Sequence, residues 1–384
     1  MSIKNRAKIV GAFEHPERVI PGKSVAQVHA EVAIGALADA GLGLDDIDSY
    51  FCAGDAPGFG AISMAEYLGL KNLSYVDSTE IGGSSPIAHL GHAASAIAAG
   101  KSRVALITLA GLPRSVPWTG SIADAPESAF EGVFGANTVG MYALAAKRHM
   151  HEYGTTSAQL AEIKVAASLH AQHNPNAFVP KPVTVEEVLE SPIVSDPLHR
   201  LDCCVITDGG GALVVVSPDV AKDLDRQSVS ILGHGEAPKH GSNGKIDLTY
   251  TGAVWSGPHA FEEAGVRPNE IDYVSIYDSF TITVLEAIED LGFCDKGSGG
   301  SYVADGALVA PGGRLPFNTD GGGLCNNHPA NRGGVTKIIE AVRQLRAEAN
   351  PNVQVPDCEL ALAHGTGGSI GTRMGSATVI LGRD

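Results

Sequence analysis

Ala40-Gly41-Leu42 and, after three intervening residues, Asp46-Ile47-Asp48 return 224 positions further along as Ala264-Gly265-Val266 and Glu270-Ile271-Asp272, in register and without a gap. Each copy reads as the end of a helix, a glycine stop, a loop and then a strand, Ser49 to Ala53 in one and Tyr273 to Tyr277 in the other. The match extends outward. Ala7-Lys-Ile-Val-Gly-Ala-Phe-Glu-His-Pro16 pairs with Val229-Ser-Ile-Leu-Gly-His-Gly-Glu-Ala-Pro238, each a short buried strand, a glycine and a turn. More loosely, Gly82-Gly83 precedes a helix ending at Gly100 and the strand Val104 to Ala110, as Gly322-Gly323 precedes a helix through Arg346 and the strand Glu359 to Ala363. Each half closes on a strand, Gly211 to Val216 and Ala377 to Leu381.

Order, turn residues and spacing agree, so the chain reads as two copies of one strand–helix–strand unit, residues 1–228 and 229–384. Alternating strands and helices make it α/β, with mixed sheets covered by helices on both faces. The first helix shows the local logic. Ser24 with Gln27 forms a capping box, Val25, Val28, Val32 and Leu37 fall on one face, and Gly41 supplies the left-handed stop. Residues 112–200 have no counterpart in the second half. Pro113, Pro117 and Pro126 mark loops there, and Met141 to Glu152, Ser157 to His173 and Thr184 to Leu189 read as helices. An insertion of this kind covers or shapes a site.

Composition narrows the function. Glycine supplies 47 of 384 residues, in clusters with no three-residue period, which excludes collagen and signals tight turns and close backbone approach. A formal net charge of −16 argues against a nucleic-acid binder, which needs a basic face. No apolar run approaches the roughly 18 residues of a membrane span. The opening Met-Ser-Ile-Lys-Asn-Arg lacks the apolar core of a signal peptide, so a cytoplasmic protein is expected. Six cysteines without a C-x-x-C pair fit reduced thiols rather than a zinc ribbon. His89 with His92 and His170 with His173 have metal-binding spacing, but no neighbouring carboxylate completes either pair, and no metal is expected.

A family resemblance rests on five short motifs in order: His151-Glu-Tyr-Gly-Thr-Thr156 with His173-Asn-Pro175; Leu201-Asp-Cys-Cys204 running into Thr207-Asp-Gly-Gly210; Tyr277-Asp-Ser-Phe280; Asn327-His-Pro329; and His364-Gly-Thr-Gly-Gly368. Together they resemble the sterol-carrier-protein type of the thiolase superfamily over nearly the whole chain. The resemblance implies the thiolase fold, a layered αβαβα core of duplicated halves with an inserted helical loop domain of about residues 112–200. It implies chemistry at a carbon–carbon bond beside a coenzyme A thioester, within lipid metabolism. In that family a cysteine attacks the acyl group, a histidine of a Gly-His-Pro loop activates it, a second cysteine moves the α-proton, and an oxyanion hole steadies the enolate.

This sequence departs from that pattern. Counting back from Gly100 puts Gly83 at the nucleophile position, or Ser84 with a one-residue slip, and no cysteine lies between 52 and 203. Ser279 replaces the second cysteine, Tyr277 the histidine of its motif, and Asn327 the first glycine of Gly-His-Pro. The candidate catalytic residues are His328, Ser84, Tyr277, Ser279, His364 and Asp278. Gly83, Gly367, Gly368 and Arg148 are candidates for holding coenzyme A. Local readings stand beside these: Ser84 and Ser85 as helix caps, Asp278 as the cap of a helix beginning near Phe280, Cys203-Cys204 as the start of a buried strand, and Cys325 as a buried inert thiol. Two reactions remain open. One is acyl transfer or thiolytic cleavage of a β-ketoacyl-CoA, as in an acetyl-CoA acetyltransferase. The other is retro-aldol cleavage of a β-hydroxyacyl-CoA, which needs no covalent nucleophile and in the family employs tyrosines and a small OB-fold partner. A homologue that binds acyl-CoA or a protein without chemistry is the third reading. The resemblance further implies a homodimer or tetramer, and no appended sterol-carrier domain, since the chain ends at Asp384 just after the last strand.

Overall fold

The capping box forms as the sequence requires. Ser24 Oγ accepts the Gln27 N–H at 3.2 Å, the Gln27 side chain accepts the Ser24 N–H at 2.7 Å, and Gly41 ends the helix at φ +70°. The structure is a computed structural model that describes residues 2–54, 56–116, 130, 132–135, 137–241 and 246–384. Pro117 and Pro126 lie outside the described residues.

The first half runs β1 (Lys8–Glu14), α1 (Val25–Ala40), β2 (Ser49–Phe51), α2 (Ala61–Leu68), β3 (Tyr75–Asp77), α3 (Ser85–Ala98) and β4 (Val104–Gly111). The insertion follows, with α4 (Thr138–Tyr153), α5 (Ser157–Ala171), α6 (Val185–Glu190) and the small hairpin β5 (Ile193–Ser195) and β6 (Leu198–His199). Then come β7 (Gly209–Val216) and the short α7 (Pro218–Ala221). The second half runs β8 (Val229–Lys239), α8 (Ala253–Ala264), β9 (Tyr273–Ile276), α9 (Thr281–Asp290), α10 (Gly299–Val303), α11 (Gly334–Leu345), β10 (Leu360–Ser369) and β11 (Thr372–Arg383).

Nine strands pair in the order β3-β2-β4-β7-β1-β8-β11-β10-β9. The order is nearly symmetric about its β1–β8 junction, which is what a duplication produces. The halves meet antiparallel there, Ile9 opposite Val229. Where the first half pairs β2 with β3, the second has a single parallel bridge, Val274 to Phe317.

Three apolar clusters define the layers. Val28, Val32 and Leu37 of α1 and Met64 of α2 cover Leu106 and Val214 on one outer face. Ile87 and Leu90 of α3 with Ile338 and Val342 of α11 lie between strands of both halves, against Ile107, Leu213, Ala363 and Val379. Phe261 of α8, Leu285 of α9 and Ile163 of the inserted α5 cover Leu362 and Ile380 on the other outer face. The arrangement is helix, sheet, helix, sheet, helix, the expected αβαβα core. The central helices α3 and α11 are buried almost all round, which is how a chain with few charges fills its middle layer.

Several local expectations change. The helix through Leu345 begins at Gly334, so the glycine pair at its start is Gly333-Gly334, not Gly322-Gly323. Residues 322–326 instead form a wide π-type turn. His364 to Gly368 is strand rather than loop, because β10 pairs with β11 along its whole length. Cys203 makes only an isolated bridge to Phe280, and the strand starts at Gly209.

Truncating Ile338 to alanine removes a side chain from the central layer, where both sheets limit collapse. The expected cost is about 2–5 kcal/mol. A lower denaturant midpoint at unchanged m-value is the result to look for.

Candidate active site

The ends of β4, β9 and β10 and the start of α3 converge, the position at which open α/β sheets hold ligands. Tyr277 leaves β9 with its N–H donated to the His364 carbonyl at 2.9 Å. Its ring crosses the chain at Gly83. A Cβ built on Gly83 would stand 2.5 Å from Tyr277 Cζ and would also overlap the Thr366 carbonyl, so no side chain fits at 83. Gly367 lies directly on the same strip, its would-be Cβ 2.5 Å from Gly82 Cα. Gly368 sits at φ +85° where the β10–β11 hairpin shifts register. The Tyr277 hydroxyl donates to the Ala330 carbonyl at 3.1 Å.

The His328 ring faces Tyr277, with centroids 5.3 Å apart at 54°. Its Nε2 is buried and has no hydrogen-bond partner among the described residues. Burial pushes the imidazole down to about 4, so it is neutral at pH 7. Burial also holds the Tyr277 phenol well above its ordinary value, so it keeps its proton. The pair therefore joins a neutral imidazole with a lone pair to give and a phenol with a proton to share.

Asp278 lies beneath them. It does not cap α9. Its carboxylate accepts the Gly323 and Leu324 N–H groups at 2.8 and 3.0 Å and the Lys337 ammonium at 2.8 Å. Burial alone would raise this carboxyl, but Lys337 and the two amides hold it below its ordinary value. Asp278 thus ties the turn that precedes His328 to the central helix α11.

The other expected residues spread out. Ser84 is buried, and its hydroxyl donates to the Ile81 carbonyl at 2.6 Å, so it makes no side-chain cap; Ser85 Oγ instead accepts the Ile81 N–H at 2.8 Å. His364 Nδ1 bonds Thr378 Oγ1 at 2.9 Å, and Thr378 also bonds Ser256 of the outer α8. The His364 ring therefore faces away from the Tyr277–His328 pair. Ser279 bonds Thr283 at 3.2 Å and lies beside Tyr142, which stacks on Phe280 at 4.6 Å. Arg148 is exposed on α4, ion-paired with Glu152, and no contact joins it to the pair. Cys325 is buried, with Lys164 Nζ 3.1 Å from its sulfur. His92 lies between Asp77 and Glu236 at 2.7 and 3.1 Å, and His170 Nε2 accepts the Ala310 N–H.

Sequence reasoning missed Tyr142, Thr207, Lys337 and the Arg332–Glu80 ion pair, 2.8 Å long. Only Thr207 sat inside a recognised motif. The others lie far from it in sequence, and no local pattern marks them.

A family model for the "Thiolase C-terminal domain-like" family matches residues 235–383. The acetyl-CoA acetyltransferase of Methanothermobacter thermautotrophicus is 33% identical over 89% of this chain and 91% of its own length. The chain belongs to the thiolase superfamily. Within the superfamily it is also similar to the steroid side-chain-cleaving aldolase of Thermomonospora curvata, 34% identical over 88% of this chain and 89% of that protein. The solved Ltp2-ChsH2(DUF35) aldolase superposes at a TM-score of 0.89 with 33% identity, covering 100% of this chain and 99% of that one. This thiolase-superfamily chain shares its fold and family with acyl-transferring and carbon–carbon-cleaving relatives, so its own side chains must separate the two chemistries.

Replacing Lys337 with methionine strands the Asp278 carboxylate, and about 3–5 kcal/mol of stability should be lost. Pairing it with Asp278→Asn should return part of that loss. A double-mutant cycle in urea measures the coupling, and additive losses would deny the ion pair its role.

Proposed function

We propose that this thiolase-superfamily protein cleaves a β-hydroxyacyl-CoA by a retro-aldol reaction. One observation carries the reading. The Tyr277 phenol fills the space over Gly83, where the superfamily nucleophile would stand, and leaves an acid–base pair in its place. The hydroxyl of Ser84, the alternative nucleophile, is spent on the Ile81 carbonyl. The aldolase relatives support the same chemistry.

The steps follow from the protonation states. His328 Nε2 takes the β-hydroxyl proton. The Cβ–O bond becomes a carbonyl as the Cα–Cβ bond breaks, and the bonding pair moves into the thioester as an enolate. The Tyr277 hydroxyl, which rests on the Ala330 carbonyl at 3.1 Å, turns from it and donates its hydrogen bond to the enolate oxygen. The imidazolium on His328 returns its proton to Cα. A ketone or aldehyde and a shortened acyl-CoA leave, with no free coenzyme A consumed and no net change in protons. The main chain of Gly83 and Gly367 would lie against the thioester.

Assembly follows the same reading. The Ltp2-ChsH2(DUF35) aldolase is named for two components, which supports a small partner protein here. The edge strand β3 is flanked by exposed Phe59, Ile62, Tyr67 and Val76, which suits pairing of two copies. Among the described residues no helix is long and apolar enough to cross a membrane, and we place the protein in the cytoplasm.

With a β-hydroxyacyl-CoA, product should appear without loss of free thiol. Tyr277→Phe and His328→Ala should each lower kcat by about 10²–10⁴-fold, while Ser84→Ala stays within about twofold of the parent. Consumption of free coenzyme A, or an acyl adduct in intact mass, would restore the thiolytic reading that the acetyltransferase relative supports. If calorimetry detects no acyl-CoA binding, the chain has no such chemistry.

Because burial lowers the His328 pKa, the base is already free where an ordinary histidine would be half protonated. The acid limb of kcat/KM should therefore fall near pH 4, not near 6.5. An inflection at the ordinary histidine value would remove His328 as the base.

A further inference from the structure

A catalytic histidine is usually aimed by a third group that bonds its second ring nitrogen. Among the described residues no other side chain does this for His328: its Nε2 is unpartnered, and its ring otherwise bonds only its own backbone carbonyl. It also sits in a loop that begins Gly321-Gly322-Gly323, which has little stiffness of its own. Its aim must come from the main chain.

We propose that Glu14, Asn327 and Thr207 form a positioning chain that fixes the backbone of His328 and so aims its ring; the inference rests on the role for His328 proposed above. Thr207 grips His328 from both sides. Its Oγ1 accepts the His328 N–H at 2.8 Å, and its own N–H donates to the His328 carbonyl at 3.4 Å. The Thr207 hydroxyl proton goes to Asn327 Oδ1 at 2.8 Å. Asn327 Nδ2 donates to Glu14 Oε1 at 2.8 Å. Arg18 Nη2 donates to the same carboxylate oxygen at 2.7 Å, and Arg343 reaches Glu14 Oε2 at 3.3 Å.

Direction makes the chain specific. An ionised carboxylate only accepts, so it selects the amide NH2 of Asn327 and turns the amide oxygen toward Thr207. That oxygen takes the only proton of the threonine hydroxyl. The hydroxyl's lone pair is then left for the His328 amide. Glu14 comes from β1, Thr207 from the segment before β7, and Asn327 from the loop itself, so three distant parts of the chain meet on one peptide unit. Glu14, Thr207 and Asn327 are all buried, so water does not compete for these bonds. Asn327 stands where the superfamily pattern has glycine. A glycine there could neither accept from Thr207 nor donate to Glu14.

The test uses the full chain with Thr207→Val, which keeps the shape and removes the hydroxyl, and Thr207→Ser, which restores it. Thr207→Val should lower kcat by about 100-fold, the scale expected for ångström misplacement of a reacting group, with KM within about twofold. Its acid limb should move from near pH 4 toward 6.5, as a loosened ring meets water. Thr207→Ser should recover kcat to within about threefold of the parent. The second readout needs no substrate. In chain labelled with ¹⁵N-histidine, the His328 ring resonances, assigned by their loss in His328→Ala, should shift and broaden in Thr207→Val and return in Thr207→Ser. Asn327→Asp, which sets a carboxylate against Glu14, should give the same change if Thr207→Val does not fold. Unchanged resonances in both Thr207→Val and Asn327→Asp would overturn the chain, as would Thr207→Ser falling as far as Thr207→Val. If the parent cleaves no β-hydroxyacyl-CoA, the proposed function fails alone, and the resonances still decide the positioning chain.

Discussion

The site depends on one buried ion pair. Asp278 at the end of β9 and Lys337 in the central helix meet at 2.8 Å, both out of contact with water. Burying two charges costs several kcal/mol each, and attraction alone seldom returns it. Here the remaining capacity of the carboxylate is used as well, by the amides of Gly323 and Leu324. The amides tie the turn 322–326 to Asp278, and Lys337 ties the central helix to it. The catalytic loop is thereby anchored to the sheet that carries Tyr277 and to the helix layer shared by both halves. The turn is glycine because the carboxylate leaves no room: a Cβ on Gly323 would stand 3.0 Å from Asp278 Oδ1 and 2.9 Å from His328 Cδ2.

With that charged pair spent on structure, the groups that the proposed function calls on are neutral. His328 is unprotonated and Tyr277 protonated, both because burial disfavours their charged forms. The contrast with His92 shows that the cause is local. Asp77 and Glu236 hold His92 between them and raise it to about 9, so it is a cation at neutral pH. That surface-side cluster links α3 and β8, one from each half, whereas the site itself keeps charge only where it braces the loop. A reaction that develops an enolate suits such a place. Charge appears only in the transition state, and a fixed phenol hydrogen bond then counts for more than it would in water.

How much of this was legible follows the range of the interactions. The capping box at Ser24, the stop at Gly41 and the repeat at Gly265 are local, and the sequence carried them intact. The repeat carried the α/β class and the two-sided covering of the sheets, and the layered core came from the family resemblance. The capping alternative for Asp278 fails because a carboxylate before a helix has that role only locally; its partners lie 45 to 59 positions away. Gly322-Gly323 matches Gly82-Gly83 as a glycine pair ahead of a helix, but that helix starts only at Gly334, a boundary set by tertiary packing. Ser84 is a candidate by its count back from Gly100, and only the fold shows its hydroxyl donating to the carbonyl three residues before it. Tyr142 and Lys337 carried no local signal.

Gly83 and Tyr277 belong to one change rather than two. A side chain at 83 and a phenol from 277 need the same volume, with a Cβ at 83 only 2.5 Å from the Tyr277 ring. A side chain at 83 would need the Thr366 carbonyl to move as well as the phenol, so position 83 is closed from two sides. The absence of a cysteine is therefore not simply a lost nucleophile. On the proposed reading, a group that shares a proton stands in place of one that forms a covalent bond, and the neutral imidazole beside it suits that chemistry. A carbon–carbon bond can still be broken there, provided that the electrons leave through the substrate's own thioester rather than through a bond to the protein.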